Sequence, residues 1–346
     1  MQRTGVSLRE VARLAGVSSG TASRVLSGSS YPVSQQARAR VEEAARILNY
    51  VANSVARALV TGRTAIVGAI VHDITDPYFS GVVRGLQDAA VTSGLVVLVG
   101  NDDRDAQKLE SYLTMMLSQK PAGVALVGGQ LRDPAATLPV ARAVQRLREH
   151  GVPVVAVGRY ELDIPHVAID DVSAARRAVT HLLDLGHTRV AFVGGPLNST
   201  TVEDRYSGYA AALSRAGVPI DERLVIQTPM TFVGGSEAAD RLAEAETPFT
   251  GVFAATDEVA FGVVSSLRAH GWHVPADVSV VGLNDVPMAA HVDPPLTTIH
   301  VPVYELGSAA WRLLTSAWGA DGDADGDVTL SFDLVIRSST ASPGAH

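Results

Sequence analysis

Residues able to hold a hydroxyl-rich ligand recur at one kind of place in this chain, directly after short apolar runs. Asp73, Asp76, Tyr78 and Phe79 follow the first run, Asn101 and Asp102 the second, Gly128 and Gly129 the third, and Arg159 the fourth. The next run leads into Gly194 to Thr201 with Arg205 beyond, and the last two lead into Thr256-Asp257 and Asn284-Asp285. Carboxylates accept hydrogen bonds from hydroxyls, amides donate and accept, an arginine fork donates, and an aromatic face covers C–H surface. Each residue alone is better explained as a cap or loop residue. Their recurrence at equivalent ends points to a binding edge.

A second set lies near the start. Ser19, Gly20, Ser23 and Arg24 share the outer face of a short helix whose inward residues are Ala22, Val25 and Leu26. The N-terminal residues of a helix laid in the DNA major groove reach base edges. Arg24 is the long donor of that face, and its planar fork suits guanine O6/N7 or a phosphate. Gly20 costs about 1 kcal/mol against alanine in a helix interior. Close approach to DNA accounts for that cost; a solvated face does not.

Other motif-like spacings fail on context. Gly16-Val17-Ser18-Ser19-Gly20 copies the hydrolase nucleophile elbow but follows a helical pattern where the elbow needs a strand. The acidic stretch from Asp321 copies an EF-hand start, yet its twelfth position is Phe332 and not glutamate. No phosphate-binding glycine loop opens a helix, and the histidines show no metal-ligand spacing. No catalytic residue, metal or cofactor is expected.

The elements that must hold these residues follow from periodicity. Ser7 and Glu10 form a capping box; Leu8, Val11, Ala12 and Ala15 follow at helical spacing, and Gly16 breaks the helix. Ser18 caps the second helix. Ser34 opens a third, with Ala37, Val41, Ala44, Ala45 and Leu48 inward. Two short helices joined by a tight turn make a helix-turn-helix, and the third completes a small core. Further on, apolar runs at 65–71, 95–99, 123–127, 154–157, 190–193, 251–254 and 278–281 alternate with amphipathic stretches. That alternation predicts parallel strands with helices on both faces, in two open sheets, whose ligands bind beyond the strand C-termini.

Composition sets the outer bounds. The chain has 346 residues, 47% hydrophobic and 18% charged, which excludes disorder and predicts two or three compact units. No apolar run is long enough to span a membrane, and the start carries no apolar signal core. The absence of cysteine removes thiol chemistry and disulfides and fits a reducing cytoplasm. The net charge of −8 is uneven: residues 1–62 carry +5 and the rest −13, so only the head is suited to a polyanion.

These residues carry a family resemblance. Val6-Ser7-Leu8-Arg9-Glu10-Val11-Ala12-Arg13-Leu14-Ala15-Gly16-Val17-Ser18 and Thr21-Ala22-Ser23-Arg24-Val25-Leu26 resemble the headpiece of the lac/galactose-repressor family of bacterial transcriptional regulators. Residues 48–59 resemble its hinge, although Ala22, Ser27 and Ala52 stand where the family usually has valine, asparagine and proline. Ile169-Asp170-Asp171, the stretch from His181 to His187, Asp204 to Tyr209, Asp277 to Gly282 and Pro295 to Ile299 resemble its core.

The resemblance implies a helix-turn-helix headpiece (1–50), a hinge helix and linker (51–63), a core like the periplasmic sugar-binding proteins (64–340) and a tail (341–346). One doubly wound lobe would span about 64–163 and 300–328, the other about 164–297 and 329–340. It implies DNA contacts by Ser7, Ser18, Ser19, Gly20, Thr21, Ser23 and Arg24, and by Asn53, Ala56 and Leu59 in the hinge, with Leu59 as a minor-groove wedge. It implies an effector site of Phe79, Arg205, Asp257 and Asn284, with Asp76, Tyr78, Arg159, Ser199, Thr201 and Met230 nearby. Met230 replaces a stacking aromatic and Asn284 a common aspartate. Ser199 stands where purine-responsive members use arginine, which favours a sugar-like effector.

The expected protein is thus a homodimeric, effector-controlled regulator of a near-palindromic DNA operator, a repressor by family habit. Without heptads after Arg337, no further association of dimers is expected. Two other classes stay open on the residues alone, a sugar-active α/β enzyme with a regulatory head and a solute-binding protein. The first lacks a base–nucleophile pair; the second is opposed by the basic head.

Overall fold

The computed structural model describes residues 6–26, 31–50, 63–245, 247–318 and 326–344. The described residues fall into two compact units, one of residues up to 65 with 119–122, the other of the remainder.

The first unit is built on α1 (Leu8–Ala15), α2 (Ser19–Leu26) and α3 (Gln35–Ile47). The capping box at Ser7 is present: the Ser7 backbone N–H donates to Glu10 Oε2 at 2.7 Å and Ser7 Oγ accepts from the Glu10 N–H. The bond to Ser7 holds the Glu10 carboxyl below its ordinary range. Gly16 ends α1 at φ 63°, a left-handed conformation that a side chain would strain. Ser18 Oγ accepts from the Thr21 N–H at 3.1 Å, and Ser34 caps α3. Val11, Ala12, Ala15, Ala22, Val25, Val41 and Ala44 form the buried core.

The second unit holds two six-stranded sheets. The strands are β1 (Ile66–Val71), β2 (Val96–Asn101), β3 (Gly123–Val127), β4 (Val154–Val157), β5 (His166–Ile169), β6 (Val190–Gly194), β7 (Val225–Gln227), β8 (Gly251–Ala254), β9 (Ser279–Asn284), β10 (Thr297–His300), β11 (Val328–Leu330) and β12 (Asp333–Val335). The first sheet runs β11-β5-β4-β3-β1-β2 and the second β12-β10-β9-β8-β6-β7. All pairs are parallel except β10 with β12. Every residue of β3, β4, β6, β8 and β9 is buried, as strands covered on both faces must be.

The covering helices are α4 (Pro77–Val91), α5 (Ala106–Gln119), α6 (Pro134–Glu149), α7 (Asp171–Asp184), α8 (Thr200–Arg215), α9 (Phe232–Glu244), α10 (Asp257–Ala269) and α11 (Val303–Ser316). Pairs α4/α11, α7/α8 and α9/α10 pack closely. A Cβ on Gly307 would stand 2.0 Å from the Val82 carbonyl oxygen, so α11 rests directly on the backbone of α4.

All seven expected runs are strands. The lobe boundary expected near 164 is displaced: β5 pairs with β4 and β11 in the first sheet, so the chain first crosses after residue 169. It crosses back between β10 and α11 and makes its last crossing between β11 and β12. The displacement has a local cause. The stretch from Asp170 opens a helix capped by the Asp170 carboxylate, and β5 before it is still needed to extend the first sheet.

Candidate functional site

On the headpiece, Ser19, Gly20 and Arg24 are exposed on α2 while Thr21 and Ser23 are half-buried. A Cβ at Gly20 would meet only Ser18 Oγ, at 3.7 Å, so no packing inside the protein requires glycine there. Arg24 lies over the Tyr31 ring, 4.1 Å from its centroid, a cation–π contact that holds the guanidinium at the end of the helix. Ser7 and Ser18 are exposed, but their hydroxyl oxygens serve as caps. Asn53, Ala56 and Leu59 lie outside the described residues, as do Ser27 and Ala52.

In the second unit, register brings the strand ends together. Val71 pairs with Asn101 and Val127, and Val127 with Val157, so the segments after β1 to β4 share one edge. The second sheet presents the segments after β6, β8 and β9 likewise. Between these edges lies a cavity of about 70 Å³. Eight of the ten residues expected at an effector site line it: Asp76, Tyr78, Phe79, Ser199, Thr201, Arg205, Met230 and Asn284.

Each is held by its element. Asp76 caps α4 by accepting from the Tyr78 N–H at 2.8 Å, and burial raises its carboxyl pKa against the pull of Arg104 and Arg205. Phe79 packs edge-on between Tyr78 and His72, with centroids 5.1 and 5.4 Å away. Burial pushes the Tyr78 phenol far above its usual range, so it stays a neutral donor. Arg205, 4% exposed, donates to Asp171 Oδ1 at 2.8 Å and to the Ala255 carbonyl, leaving one edge of its fork for a ligand. Met230 packs against Gly195, where an added Cβ would lie 3.0 Å from Met230 Cγ and 3.3 Å from its sulfur.

Asn284 stands out on two counts. Its backbone is at φ 134°, a region that side chains rarely adopt, and its buried Oδ1 has no hydrogen-bond partner. An unpaired buried acceptor costs about 1–3 kcal/mol, a cost that any donor reaching the cavity, from solvent or solute, would offset.

Two expected residues are elsewhere. Asp257 is fully buried with its carboxylate turned into the protein, accepting from the Val286 N–H at 2.8 Å and the Thr298 hydroxyl at 2.5 Å. It organises the Asn284-Asp285 corner from behind, and its neighbour Thr256 lines the cavity instead. Arg159 is an interlobe tie. Its Nε and Nη2 each meet Asp204 at 2.8 Å, and Nη2 also meets Glu203 at 2.9 Å and the Thr200 carbonyl at 3.0 Å. Arg132 bonds Glu203 at 2.6 Å, and the Thr200 N–H donates to the Gln130 carbonyl at 2.9 Å. A Cβ on Gly129 would stand 2.3 Å from Thr201 Oγ1, so glycine permits this approach of the lobes.

The cavity is also lined by Thr256, which sequence reasoning named beside Asp257, by Asp171, which it placed only within the Ile169-Asp170-Asp171 motif, and by His72 and Arg104, which it passed over. Among the described residues no cluster of three histidines or carboxylates could hold a metal ion, and no helix is long and apolar enough to cross a membrane.

Comparison with known proteins agrees with this arrangement. Residues 7–53 match the family described as bacterial regulatory proteins, lacI family, and residues 179–340 match a periplasmic binding protein-like domain. The chain is 33% identical over 341 residues to the transcriptional repressor CytR of Escherichia coli K12, covering 98% of this chain and 97% of that protein. It is similar to the solved CelR–cellobiose complex (32% identity, TM-score 0.71, covering 96% and 99% of the two chains). It is also similar to the lac repressor dimer bound to operator and the anti-inducer ONPF (26% identity, TM-score 0.84, 98% and 100% covered). A helix-turn-helix head, two binding-protein-like lobes and full-length likeness to such regulators place the chain in the lacI family of bacterial regulatory proteins, as a DNA-binding regulator of transcription.

Proposed function

We propose that this regulator is a cytoplasmic repressor that binds a near-palindromic operator as a homodimer and is controlled by a sugar-like effector in the interlobe cavity. Two copies of α2 would enter successive major grooves about one DNA turn apart, as two-fold symmetry requires. Ser19, Gly20, Thr21, Ser23 and Arg24 would read bases or phosphates, with Ser7 and Ser18 at the backbone. We place the headpiece at 1–50 and the hinge at 51–63, with Asn53, Ala56 and Leu59 meeting the minor groove.

The observation that carries the effector reading is the polar set facing one cavity. Asp76 and the unpaired Asn284 Oδ1 accept, Arg205 and the Tyr78 hydroxyl donate, and Phe79 supplies a ring. That combination suits a polyhydroxyl compound. The CelR relative is solved with cellobiose, which supports a saccharide. Arg205 is paired with Asp171, which fixes the orientation of its fork for binding a ligand. The effector acts only through different affinities for two arrangements of the lobes, typically worth about 1–3 kcal/mol.

The test is binding of the full chain to DNA upstream of its own gene across a salt series, with and without a saccharide panel. One near-palindromic site, affinity falling steeply with salt, and a shift by one saccharide are expected. Arg205→Ala should abolish that shift while leaving operator binding. A normal response in the variant would overturn the cavity as effector site.

A further inference from the structure

The first lobe carries a second cavity, of about 150 Å³, that adjoins the effector cavity through the shared walls His72, Arg104, Gly129, Leu131 and Ser199. It lies among the ends of β2, β3 and β4. Its other walls include Leu109 and Val140, both buried, and the Tyr160 ring. Neither Asp76, Arg205 nor Asn284 reaches it.

The polar atoms of this side cavity are largely occupied within the protein. The His72 ring meets Asp102 Oδ1 at 2.8 Å and the Gly129 carbonyl oxygen at 2.9 Å. Gln130 donates to Thr137 Oγ1 at 2.7 Å and accepts from the Glu161 N–H at 3.0 Å. What remains for a guest is hydrocarbon and ring surface together with the Arg104 side chain on the shared wall. A space of this size exceeds the roughly 10–15 Å³ that one water needs, and water held against such walls is displaced at a gain.

The two cavities share a boundary, and the apolar part of the side cavity is formed by Leu109, Val140 and the Tyr160 ring. Gly129, which has no side chain, stands on that boundary and lines both cavities. We propose that the effector is a two-ring compound, with a polyhydroxyl ring in the cleft and a second, less polar ring seated in the side cavity against Leu109, Val140 and Tyr160. This rests on the reading of the cleft as the effector site and adds the class of molecule that fills it.

The experiment compares methyl and phenyl glycosides of glucose, galactose and ribose by calorimetry on the full chain and on Ala136→Phe. Ala136 lines the side cavity from the first turn of α6, so phenylalanine there fills it. For the sugar that binds, the phenyl glycoside should be at least tenfold tighter than the methyl glycoside. That advantage should vanish in Ala136→Phe with methyl glycoside affinity unchanged; Ala136→Leu replaces it should the larger side chain prevent folding. Equal affinities in the unmodified protein, or an advantage surviving the filling, would overturn the inference. Failure of every glycoside would count against the sugar reading of the cleft alone. In that event crystals soaked with phenol decide: a ring bound against Tyr160 supports the side cavity as a ring site, and a cavity without it overturns that.

Discussion

Asn284 holds a backbone conformation that costs about 1–3 kcal/mol and an acceptor that goes unpaired, at the point where a ligand would meet both lobes. Strain of this kind persists because the surrounding structure enforces it, here the Asp257 carboxylate behind the corner and Asp285 bonded to His300 and Arg337. Glycine at 284 relieves the strain and removes the orphan oxygen, at an entropic cost of about 0.5–1 kcal/mol. Asn284→Gly should therefore be more stable to denaturant by about 1 kcal/mol while binding effector roughly tenfold more weakly, worth about 1.4 kcal/mol. A variant that loses stability or keeps its affinity contradicts this account. Asp257 gives a pH prediction. Burial pushes its carboxyl from 3.8 up to about 7, against the pull of Thr298 and Val286. Between those values the unfolded chain releases the proton and the folded chain keeps it. Its contribution to stability is therefore whole below about pH 4 and is lost as pH rises through 7. Asp257→Asn removes this slope, since an amide does not titrate and the Thr298 hydroxyl can turn to accept from it. The gap in melting temperature between variant and parent should move in the variant's favour from pH 5 to pH 8; a constant gap would show that Asp257 is not the titrating group. Sequence could not separate Thr256 from Asp257: both follow a strand, and which of two consecutive residues faces a cleft is set by which one caps the helix.

At the level of elements, the sequence was most legible where burial is complete. The central strands read as unbroken apolar runs because both of their faces are covered, and the headpiece helices because caps and apolar spacing agree. The short strands were not legible. Val225–Gln227, Val328–Leu330 and Asp333–Val335 have three residues each and no buried position, so they leave no periodic trace. The helix contacts were also hidden. Gly307 sits in an otherwise ordinary amphipathic pattern, yet it is the position at which α11 touches the backbone of α4, and Gly85 makes the reciprocal approach to the Tyr304 carbonyl. Gly307→Ala raises helix propensity by about 1 kcal/mol but forces the helices apart, and overpacking of this kind costs about 1–3 kcal/mol. Backbone against backbone cannot yield as a side chain would, so the upper end applies. Chemical denaturation should show a net loss of about 2 kcal/mol. A gain would mean that the helices separate freely.

For the molecule as a whole, Arg159 is the residue whose role sequence could not show, because its partners Asp204 and Glu203 belong to the other lobe. Its side chain is 34% exposed and theirs 23% and 33%, so solvent weakens each pair. The geometry is nevertheless a forked guanidinium on a carboxylate, reinforced by Arg132, by the Thr200 N–H donating to the Gln130 carbonyl and by the Gln130 N–H donating to Thr200 Oγ1. Arg159→Ala removes the attraction that holds the first lobe to Asp204 and Glu203, so the open arrangement of the lobes gains population. An effector that needs the closed lobes then binds with its intrinsic affinity reduced by the closed fraction. A loss of about 1 kcal/mol corresponds to roughly a fivefold weaker effector. Linkage fixes the second readout: operator affinity in the effector's presence should move toward the value seen in its absence, whether the effector releases DNA or promotes binding. Small-angle scattering of the variant should show a larger radius of gyration, and excess effector should restore the parent value. If effector affinity, operator response and radius all match the parent, the tie between Arg159 and Asp204 is a surface ion pair without a hold on the lobes, and closure is governed by the cavity residues alone.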